Sequence, residues 1–250
     1  MPIYRKSLVI LLTSLGTFVL LLSTAHAAEK TDKKTSSWSG SAELGASVST
    51  GNSRTSNVNG KLQLEYESGP WSHRFKLSSL QASEDGNSTA NRTVGELSTH
   101  YDLNPRNYAF DTLRASHDAF SGYSYQAAIA AGLGHKLWVS DRGGLSVEAG
   151  PGYRRSKLMD GPAENNLIGL AKGDFSYKIS ETATFEQTLL VLGGAANTEL
   201  ESVSGLSVNL TKTMALKVAY TVQHNTNVPA DKKKTDTFTS VNLVYAFGDN

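Results

Sequence analysis

The sequence predicts an all-β protein, a transmembrane antiparallel up-and-down β-barrel of about twelve strands. Apolar and polar residues alternate through most of the chain from residue 38, which is the pattern of strands with one apolar face. Aromatic residues concentrate near the ends of these stretches, while Leu, Val, Ala, Ile and Gly occupy the centres, as expected when rings lie at two membrane interfaces. A soluble barrel fits the alternation almost as well, and the placement of the aromatic residues favours the membrane.

The last stretch of the chain, Thr235–Phe247, shows the alternation most clearly. Its apolar or β-forming residues occupy the odd positions, namely Thr237, Thr239, Val241, Leu243, Tyr245 and Phe247. Amphipathic strands that end a chain on Tyr-x-Phe are typical of bacterial outer-membrane β-barrels. We therefore expect this strand to close the barrel against the first one, and we expect the barrel-assembly machinery to bind it through Val241–Phe247.

The chain begins with the features of a cleaved secretory signal peptide, residues 1–27. Arg5 and Lys6 form a charged n-region, and Leu8–Leu22 is an apolar run too short for a spanning helix. Ala25-His26-Ala27 is a small-x-small cleavage site. Residues 28–37 are charged and small without periodicity, which indicates a flexible tail. The barrel is therefore expected to comprise residues 38–250.

The composition excludes several classes of function. The chain has 24 basic and 23 acidic residues, and loss of residues 1–27 removes Arg5 and Lys6, which leaves 22 against 23 and a net charge of −1. Because no polybasic surface results, nucleic acid is not expected as a partner. The chain has no cysteine, which excludes disulfides, thiolate catalysis and Cys-bound zinc. No cofactor is expected.

Eleven further strands are expected before the last one, separated by clusters of Gly, Pro, Asn and Ser. Their apolar faces, in chain order, extend over Ala42–Val48, Val58–Tyr66, Trp71–Leu77, Leu97–Leu103, Tyr108–Ala115, Tyr123–Leu137, Leu145–Tyr153, Leu167–Tyr177, Phe185–Val191, Leu206–Leu210 and Leu216–Val222. The fifth is irregular, because Tyr108 and Phe110 share one parity while Leu113 and Ala115 have the other. A β-bulge near Thr112 would restore a single apolar face. The alternative is that this stretch does not form a strand over its whole length.

The connections are expected to alternate in length. Those after the second, fourth, sixth, eighth and tenth strands are tight, whereas three others are long and polar: Glu84–Asn91, Ser156–Asn165 and Asn225–Lys234. Outer-membrane barrels have short periplasmic turns and longer extracellular loops, so both termini are expected in the periplasm. This topology predicts a periplasmic ring of Trp38, Tyr66, Trp71, Phe75, Tyr101, Tyr108, Phe110, Phe175, Tyr177, Phe185, Tyr245 and Phe247. The outer ring would contain Phe120, Tyr123, Tyr125, Tyr153 and Phe238.

The segment WSGSAELGASVSTGNSRTSNVNGKLQLEYESGPWSHRFKL, residues 38–77, contains a Gly-rich first strand, Thr-Gly-Asn-Ser at the first turn and Gly-Pro-Trp before the third strand. In these features the chain resembles a family of bacterial outer-membrane proteins known as salt-induced. The resemblance extends over Trp38–Phe247 and implies an outer-membrane barrel of a Gram-negative bacterium. It implies no catalytic residues and no substrate.

The polar parity of the strands defines a candidate lumen. Its charged members are Glu43, Lys61, Glu65, Arg74, Lys76, Glu96, Lys136, Glu148, Arg154, Lys172, Asp174, Lys178, Glu186 and Lys217. Both signs are interspersed, so two interpretations remain open. The charges either pair with one another and close the lumen, or they line a narrow water-filled pore.

A lipid-modifying enzyme is the weakest of the functions considered. Ser116-His117-Asp118 near the outer end of the fifth strand suggests a nucleophile and a base, but neighbouring strand residues point to opposite faces. No group of His and carboxylate residues has metal-ligand spacing. The segment Glu84–Asn87 is a candidate cation site, but a solvated loop is the simpler interpretation. Gly132-x-Gly134 and Gly150-x-Gly152 are expected to permit sheet bending or close packing.

The sequence therefore predicts an outer-membrane barrel that is not an enzyme. The first functional hypothesis is a small passive channel for ions or small solutes, in the envelope adaptation to salt or osmotic stress that the resemblance implies. The second is a structural barrel with a closed, ion-paired lumen that acts through its extracellular loops. Outer-membrane lipids and lipopolysaccharide are the expected partners, and the sequence leaves the oligomeric state open.

Overall fold

A computed structural model describes residues 36–49, 55–85, 87–119, 123–159, 161–228 and 233–248. The predicted signal peptide, residues 28–35 of the predicted tail, the first turn at Thr50–Ser53 and Phe120 lie outside the described residues. Among the residues that are described, no helix has the length and hydropathy of a membrane span.

The described chain contains twelve strands: β1 (Ser37–Ser49), β2 (Thr55–Ser68), β3 (Trp71–Glu84), β4 (Asn87–Asp102), β5 (Asn107–Asp118), β6 (Tyr123–Ser140), β7 (Gly143–Leu158), β8 (Ala163–Lys178), β9 (Ala183–Gly194), β10 (Glu199–Asn209), β11 (Met214–Asn225) and β12 (Thr235–Gly248). Each strand pairs antiparallel with its sequence neighbours, and β12 pairs with β1, which closes the barrel. The predicted fold and strand number are confirmed. The barrel begins at Ser37, one residue before the predicted start.

The two faces of the strands have inverted polarity compared with a soluble barrel. On β12, Val241 and Leu243 are 49% and 45% exposed, whereas Asn242 between them is 2% exposed. Leu44 and Leu167 are also among the most exposed large apolar residues. Apolar side chains on the outer surface favour contact with lipid over contact with water. In lipid every backbone polar group also needs an internal partner, and a closed barrel provides it. The alternation in the sequence allowed a soluble or a membrane barrel, and the exposed apolar face identifies the membrane barrel.

We call the end of the barrel with the β2–β3 turn and the start of β1 the turn end, and the opposite end the loop end. The prediction of long loops was largely wrong. β3 ends at Glu84 and β4 begins at Asn87, so two residues connect them, and most of Glu84–Asn91 belongs to β4. Likewise β7 continues to Leu158 and β8 begins at Ala163. Polar residues can extend these hairpins because hydrogen bonds between the paired strands satisfy their backbone N–H and C=O groups as well as water does. The predicted loop Asn225–Lys234 corresponds to the connection between β11, which ends at Asn225, and β12, which begins at Thr235; residues 229–232 lie outside the described residues.

The predicted bulge near Thr112 was wrong. β5 keeps regular register with β4 and β6 through Thr112, and the irregularity lies between Ser116 and Asp118. Leu113 faces outward at 39% exposure, whereas Tyr108 and Phe110 are buried inside the barrel. These two rings therefore do not belong to the predicted periplasmic ring. They mark an apolar part of the interior.

The outer ring of aromatic residues also needs correction. A register shift between Tyr123 and Tyr125 turns Tyr123 inward, where it is buried, and leaves Tyr125 outside. Phe238 has the inward parity of β12 and lines an interior cavity. At the turn end the predicted ring is found on the outer surface, where Trp38 packs on Tyr66 and Trp71 packs on Tyr101.

One wall of the barrel is apolar on its inner face as well. The inner apolar cluster consists of Tyr108, Phe110, Ala128, Ala130, Ile168, Leu170, Leu190 and Leu192, on strands β5, β6, β8 and β9. Glycines on β6 and β7 permit close approach there. A Cβ on Gly150 would lie 2.1 Å from the carbonyl oxygen of Ala131, and a Cβ on Gly132 would lie 2.1 Å from that of Ala149. The prediction of close packing at these glycines is confirmed.

Candidate functional site

The interior holds charged side chains that meet across the barrel. Arg114 on β5 donates through Nη2 to Oε2 of Glu201 on β10 at 2.7 Å, and Arg92 on β4 donates to the same oxygen at 3.0 Å. Glu96 accepts from Arg114 Nη1 at 3.2 Å, and Glu199 Oε1 lies 3.6 Å from Arg114 Nη2. We call these five residues the central network.

The position of these strands shows that the central network narrows the lumen. In a ring of twelve strands, β4 lies six positions from β10, and β5 lies five positions from it. Residues on strands so far apart around a barrel meet only through its interior. The carboxylate of Glu201 therefore reaches two guanidinium groups that project from the opposite wall, and these charge-assisted hydrogen bonds hold the contact.

The central network includes four residues that the sequence prediction missed: Arg92, Arg114, Glu199 and Glu201. Arg92 was left out because the preceding residues were assigned to a loop. Arg114 was left out because the expected bulge made it uncertain which residues of β5 face inward. The tenth strand was expected to begin near Leu206, whereas it begins at Glu199. The alternation of Glu199, Glu201 and Val203 with Leu200 and Ser202 was the signal that would have extended it.

A second group of charges lies nearer the turn end. Lys172 Nζ is 3.0 Å from Asp174 Oδ2 and 4.0 Å from Glu148 Oε2. Tyr108 donates its hydroxyl to Glu148 at 3.1 Å, and it reaches this residue across Gly134, where a side chain would collide with the ring. Arg74 pairs separately with Glu65 on the neighbouring strand at 2.7 Å.

Lys217 connects a third set of predicted lumen residues. Its Nζ donates to Glu43 Oε1 at 3.2 Å and to Glu186 Oε2 at 3.0 Å. Glu43 is buried, whereas the side chain of Glu186 is half exposed. Lys61 is in register with Glu43 and lines the cavity described below.

The remaining predicted lumen residues occupy different environments. Lys76 is half-buried, in register with Glu96. Lys136 pairs with exposed Asp102 at 3.0 Å, and Lys178 is exposed at the end of β8, so both belong to the rim at the turn end. Arg154 is 2% exposed, and its guanidinium donates to the backbone oxygen of Asn197.

Asn197 shows that the connections at the loop end are joined to one another. Its side chain donates to Asn225 Oδ1 at 2.7 Å and accepts from the backbone N–H of Asn227 at 3.0 Å. Tyr123 donates to the carbonyl of Asn227 at 3.5 Å. The β9–β10 and β11–β12 connections are thus bonded together above Arg154.

A cavity of about 520 Å³ occupies the part of the interior that faces the loop end, and we call it the vestibule. Its wall is formed by β1 to β5 and β10 to β12, and its charged lining residues are Glu43, Lys61, Arg92, Arg114, Asp118, Glu201, Lys217, Lys233 and Asp236. A second cavity, bounded by Glu96, Arg114, Leu170 and Leu190, has only about 10 Å³. The described interior is therefore filled more tightly at the inner apolar cluster than in the vestibule.

The other candidate sites gain no support from the geometry. Ser116 is half-buried and His117 is exposed on the opposite face, where its Nδ1 lies 2.6 Å from the carbonyl of Ser124. No group of three or more His, Asp or Glu residues suited to a metal ion forms within the described ranges. Glu84 and Asn87 pair with each other beside the turn.

A closed antiparallel barrel with an apolar outer surface, aromatic residues at its turn end and a charged interior is an outer-membrane β-barrel. The chain belongs to the family described as "Protein of unknown function, DUF481", whose model matches residues 42–247. It is 26% identical over 210 residues to "Uncharacterized protein YdiY" of Escherichia coli K12, which covers 83% of this chain and 82% of that protein. The predicted membership in a family of outer-membrane barrels is confirmed.

Solved structures of outer-membrane proteins share the fold. "NanC porin" matches with a TM-score of 0.52 at 11% identity, over 82% of this chain and 98% of that one. The "COG4313 outer membrane channel from Pseudomonas putida F1" matches with a TM-score of 0.50 at 11% identity, over 88% of this chain and all of the other. At this level of identity the likeness concerns the fold.

Proposed function

We propose that this protein is a narrow outer-membrane channel for ions or small solutes, with its constriction at the central network. The observation that carries the proposal is the vestibule, which opens toward the loop end and leads to the charges of Arg92, Arg114 and Glu201. Charged side chains that face a cavity need water or a counter-charge, and both occur along a path for ions. The names of two proteins with this fold, a porin and a channel, support the same class.

The proposal places the barrel in the outer membrane of a Gram-negative bacterium, with both termini in the periplasm. The support for the orientation is the connection between β11 and β12 at the loop end, which is longer than every connection at the turn end. Short turns on the periplasmic side are the rule for this class. The charged residues predicted from the sequence, from Glu43 to Lys217, are proposed to line the lumen or its rim.

The second candidate is a structural barrel with a closed lumen, and a specific observation favours it. The two arginines of the central network are bonded directly to Glu201 across the lumen, and the cavity on the side of Arg114 that faces Leu170 and Leu190 has only about 10 Å³. In that case the function belongs to the loop end.

A contribution to envelope adaptation under salt or osmotic stress remains a prediction from the resemblance alone. A deletion strain that grows normally in high salt would contradict it.

Planar-bilayer conductance separates the channel from the closed barrel. We expect small discrete conductance steps from the purified protein, and several-fold larger steps from the double variant Arg114→Ala/Glu201→Ala, because it removes both partners of the contact across the lumen. The matched control is Lys136→Ala/Asp102→Ala, which removes an ion pair of similar length at the exposed rim. That control is expected to conduct like the original protein.

Two results would contradict the channel. One is a correctly inserted protein that stays silent both with and without the Arg114–Glu201 pair, which would establish the closed structural barrel. The other is an equal increase for the rim control, which would show that the constriction lies elsewhere. An enzyme is not proposed, since no nucleophile and base come together in the described chain at Ser116-His117-Asp118.

We also propose that lipids and lipopolysaccharide surround the barrel and that the assembly machinery binds Val241–Phe247. Phe247→Ala is expected to remove most of the folded protein from cells while refolding in detergent changes little. Phe75→Ala is the matched control, because Phe75 is 37% exposed and Phe247 is 38% exposed on the same outer surface. Equal losses in cells for both variants would indicate a general loss of stability. Heat-dependent migration in SDS gels measures the folded fraction.

A further inference from the structure

The closure between the first and last strands is incomplete at the loop end. β1 and β12 pair from Ser39 with Gly248 to Gly45 with Asn242, and the ladder stops there. Both strands continue, since Ala46–Ser49 pair with β2 and Thr235–Val241 pair with β11. Among the described strands this is the one neighbouring pair that separates while both members continue. We call the gap between Ala46–Ser49 and Thr235–Val241 the fork.

The base of the fork is held by a hydrogen bond inside the barrel. Asn59 Nδ2 on β2 donates to Asn242 Oδ1 on β12 at 2.9 Å, and this bond passes over Gly45 on β1. A Cβ on Gly45 would lie 1.9 Å from Asn242 Oδ1, so only glycine leaves room for the bond. Asn242 is buried and also donates to Ser240 at 3.2 Å. The position at which β1 and β12 part is therefore a well-defined structural point.

The vestibule lies beside the fork. Its lining includes Phe238 and Ser240, which have the inward parity of β12, and also Thr237 and Thr239, which have the outward parity and are exposed. The vestibule therefore extends along the part of β12 that borders the fork.

The chemistry on the two sides of the fork differs. Inside, the vestibule presents charges of both signs, among them Glu43 with Lys217, Lys61 and Asp236. Outside, Leu44, Val58 and Val241 are exposed and apolar. The free strand edges carry N–H and C=O groups that need partners, which hydrocarbon cannot supply. A molecule with a zwitterionic headgroup and one apolar chain matches all three surroundings.

We propose that the fork is a lateral opening to the membrane, which takes a single-chain zwitterionic amphiphile. The headgroup lies in the vestibule and hydrogen-bonds the free edges, and the chain lies along Leu44, Val58 and Val241. This inference rests on the proposed function only in that both proposals use the vestibule. A silent protein in conductance measurements would leave the lateral opening intact, and a closed fork would leave conduction possible.

Cysteine labelling tests the opening, because the chain has no cysteine of its own. Val241→Cys is compared with Val218→Cys in liposomes, with a membrane-impermeant charged thiol reagent. Val218 and Val241 are in register and are 46% and 49% exposed, but Val218 lies between two paired strands. Because a thiol in lipid stays protonated and unreactive, we expect Val241→Cys to react about tenfold faster than Val218→Cys. Equal rates would overturn the opening.

A second measurement tests the ligand class. Vesicles that contain lysophosphatidylcholine are expected to slow the labelling of Val241→Cys several-fold compared with vesicles of the same diacyl lipids alone. The rate for Val218→Cys is expected to stay unchanged. If lysophosphatidylcholine has no effect on Val241→Cys, the proposed amphiphile is wrong. If Val241→Cys instead forms disulfide-linked dimers, a second copy occupies the fork and the proposal is overturned.

Discussion

Replacing Glu201 by alanine is expected to lower the free energy of unfolding by about 3 kcal/mol, because Arg92 and Arg114 then lose the carboxylate that both contact. The side chain of Arg114 is 10% exposed and that of Glu201 is 19% exposed, so water compensates only in part. The urea midpoint of the detergent-folded barrel, followed by tryptophan fluorescence, measures the change.

Glu186→Ala is the matched control for this experiment. Glu186 accepts a hydrogen bond from Lys217 at a similar distance, 3.0 Å, but its side chain is half exposed. Exposed ion pairs contribute about 0–1 kcal/mol, so the control is expected to change stability little. The double variant Arg114→Ala/Glu201→Ala is expected to lose less than the sum of the single losses, since the two residues interact. Similar losses for Glu201→Ala and Glu186→Ala would contradict a structural role for the central network.

The second large effect is expected from Gly150→Ala, which should destabilise the barrel by about 3 kcal/mol through overpacking. The added methyl would lie 2.1 Å from the carbonyl oxygen of Ala131 and 2.7 Å from the Cα of Gly132. Both are backbone atoms of β6, so a side-chain rotation cannot relieve the collision. The two strands would have to move apart beneath the inner apolar cluster.

Gly169→Ala provides the control, because it makes the same change on β8, where a new Cβ has no neighbouring atom within 4 Å. Its stability is expected to remain within about 0.5 kcal/mol of the original, as for most surface substitutions. The folded fraction against temperature, read from heat-dependent migration in SDS gels, measures both variants. Equal behaviour of Gly150→Ala and Gly169→Ala would show that β6 and β7 adjust freely, and that their close approach is not required.

The strand order and closure followed from local patterns. The alternation on β12, from Thr237 to Phe247, predicted both the strand and its outward face, because side chains alternate strictly along any strand. The same rule predicted that Ser116 and His117 point apart. The alternation failed where one residue more or less changes the parity, as between Tyr123 and Tyr125 on β6. The register shift there places Tyr123 inside the barrel and Tyr125 on its outer surface.

Aromatic residues show the same limit. Tyr108 and Phe110 looked like members of an interfacial ring, because they lie near a strand end with alternate spacing. They point inward because their parity opposes that of Leu113, and because Gly134 on the next strand leaves room for the Tyr108 ring. The preference of aromatic residues for membrane interfaces predicts where they lie along the barrel axis. It does not predict which face of the sheet they occupy.

The sequence by itself determined the class of the protein, its strand number and the outward faces of most strands, because these depend on short-range alternation and on turn residues. Only the tertiary structure decided which charges meet. Arg92, Arg114 and Glu201 are far apart in the chain, and their contact depends on the circumference and register of the closed barrel. The vestibule and the fork between β1 and β12 likewise arise where the two ends of the chain meet. No local pattern encodes a property that exists only after the barrel has closed.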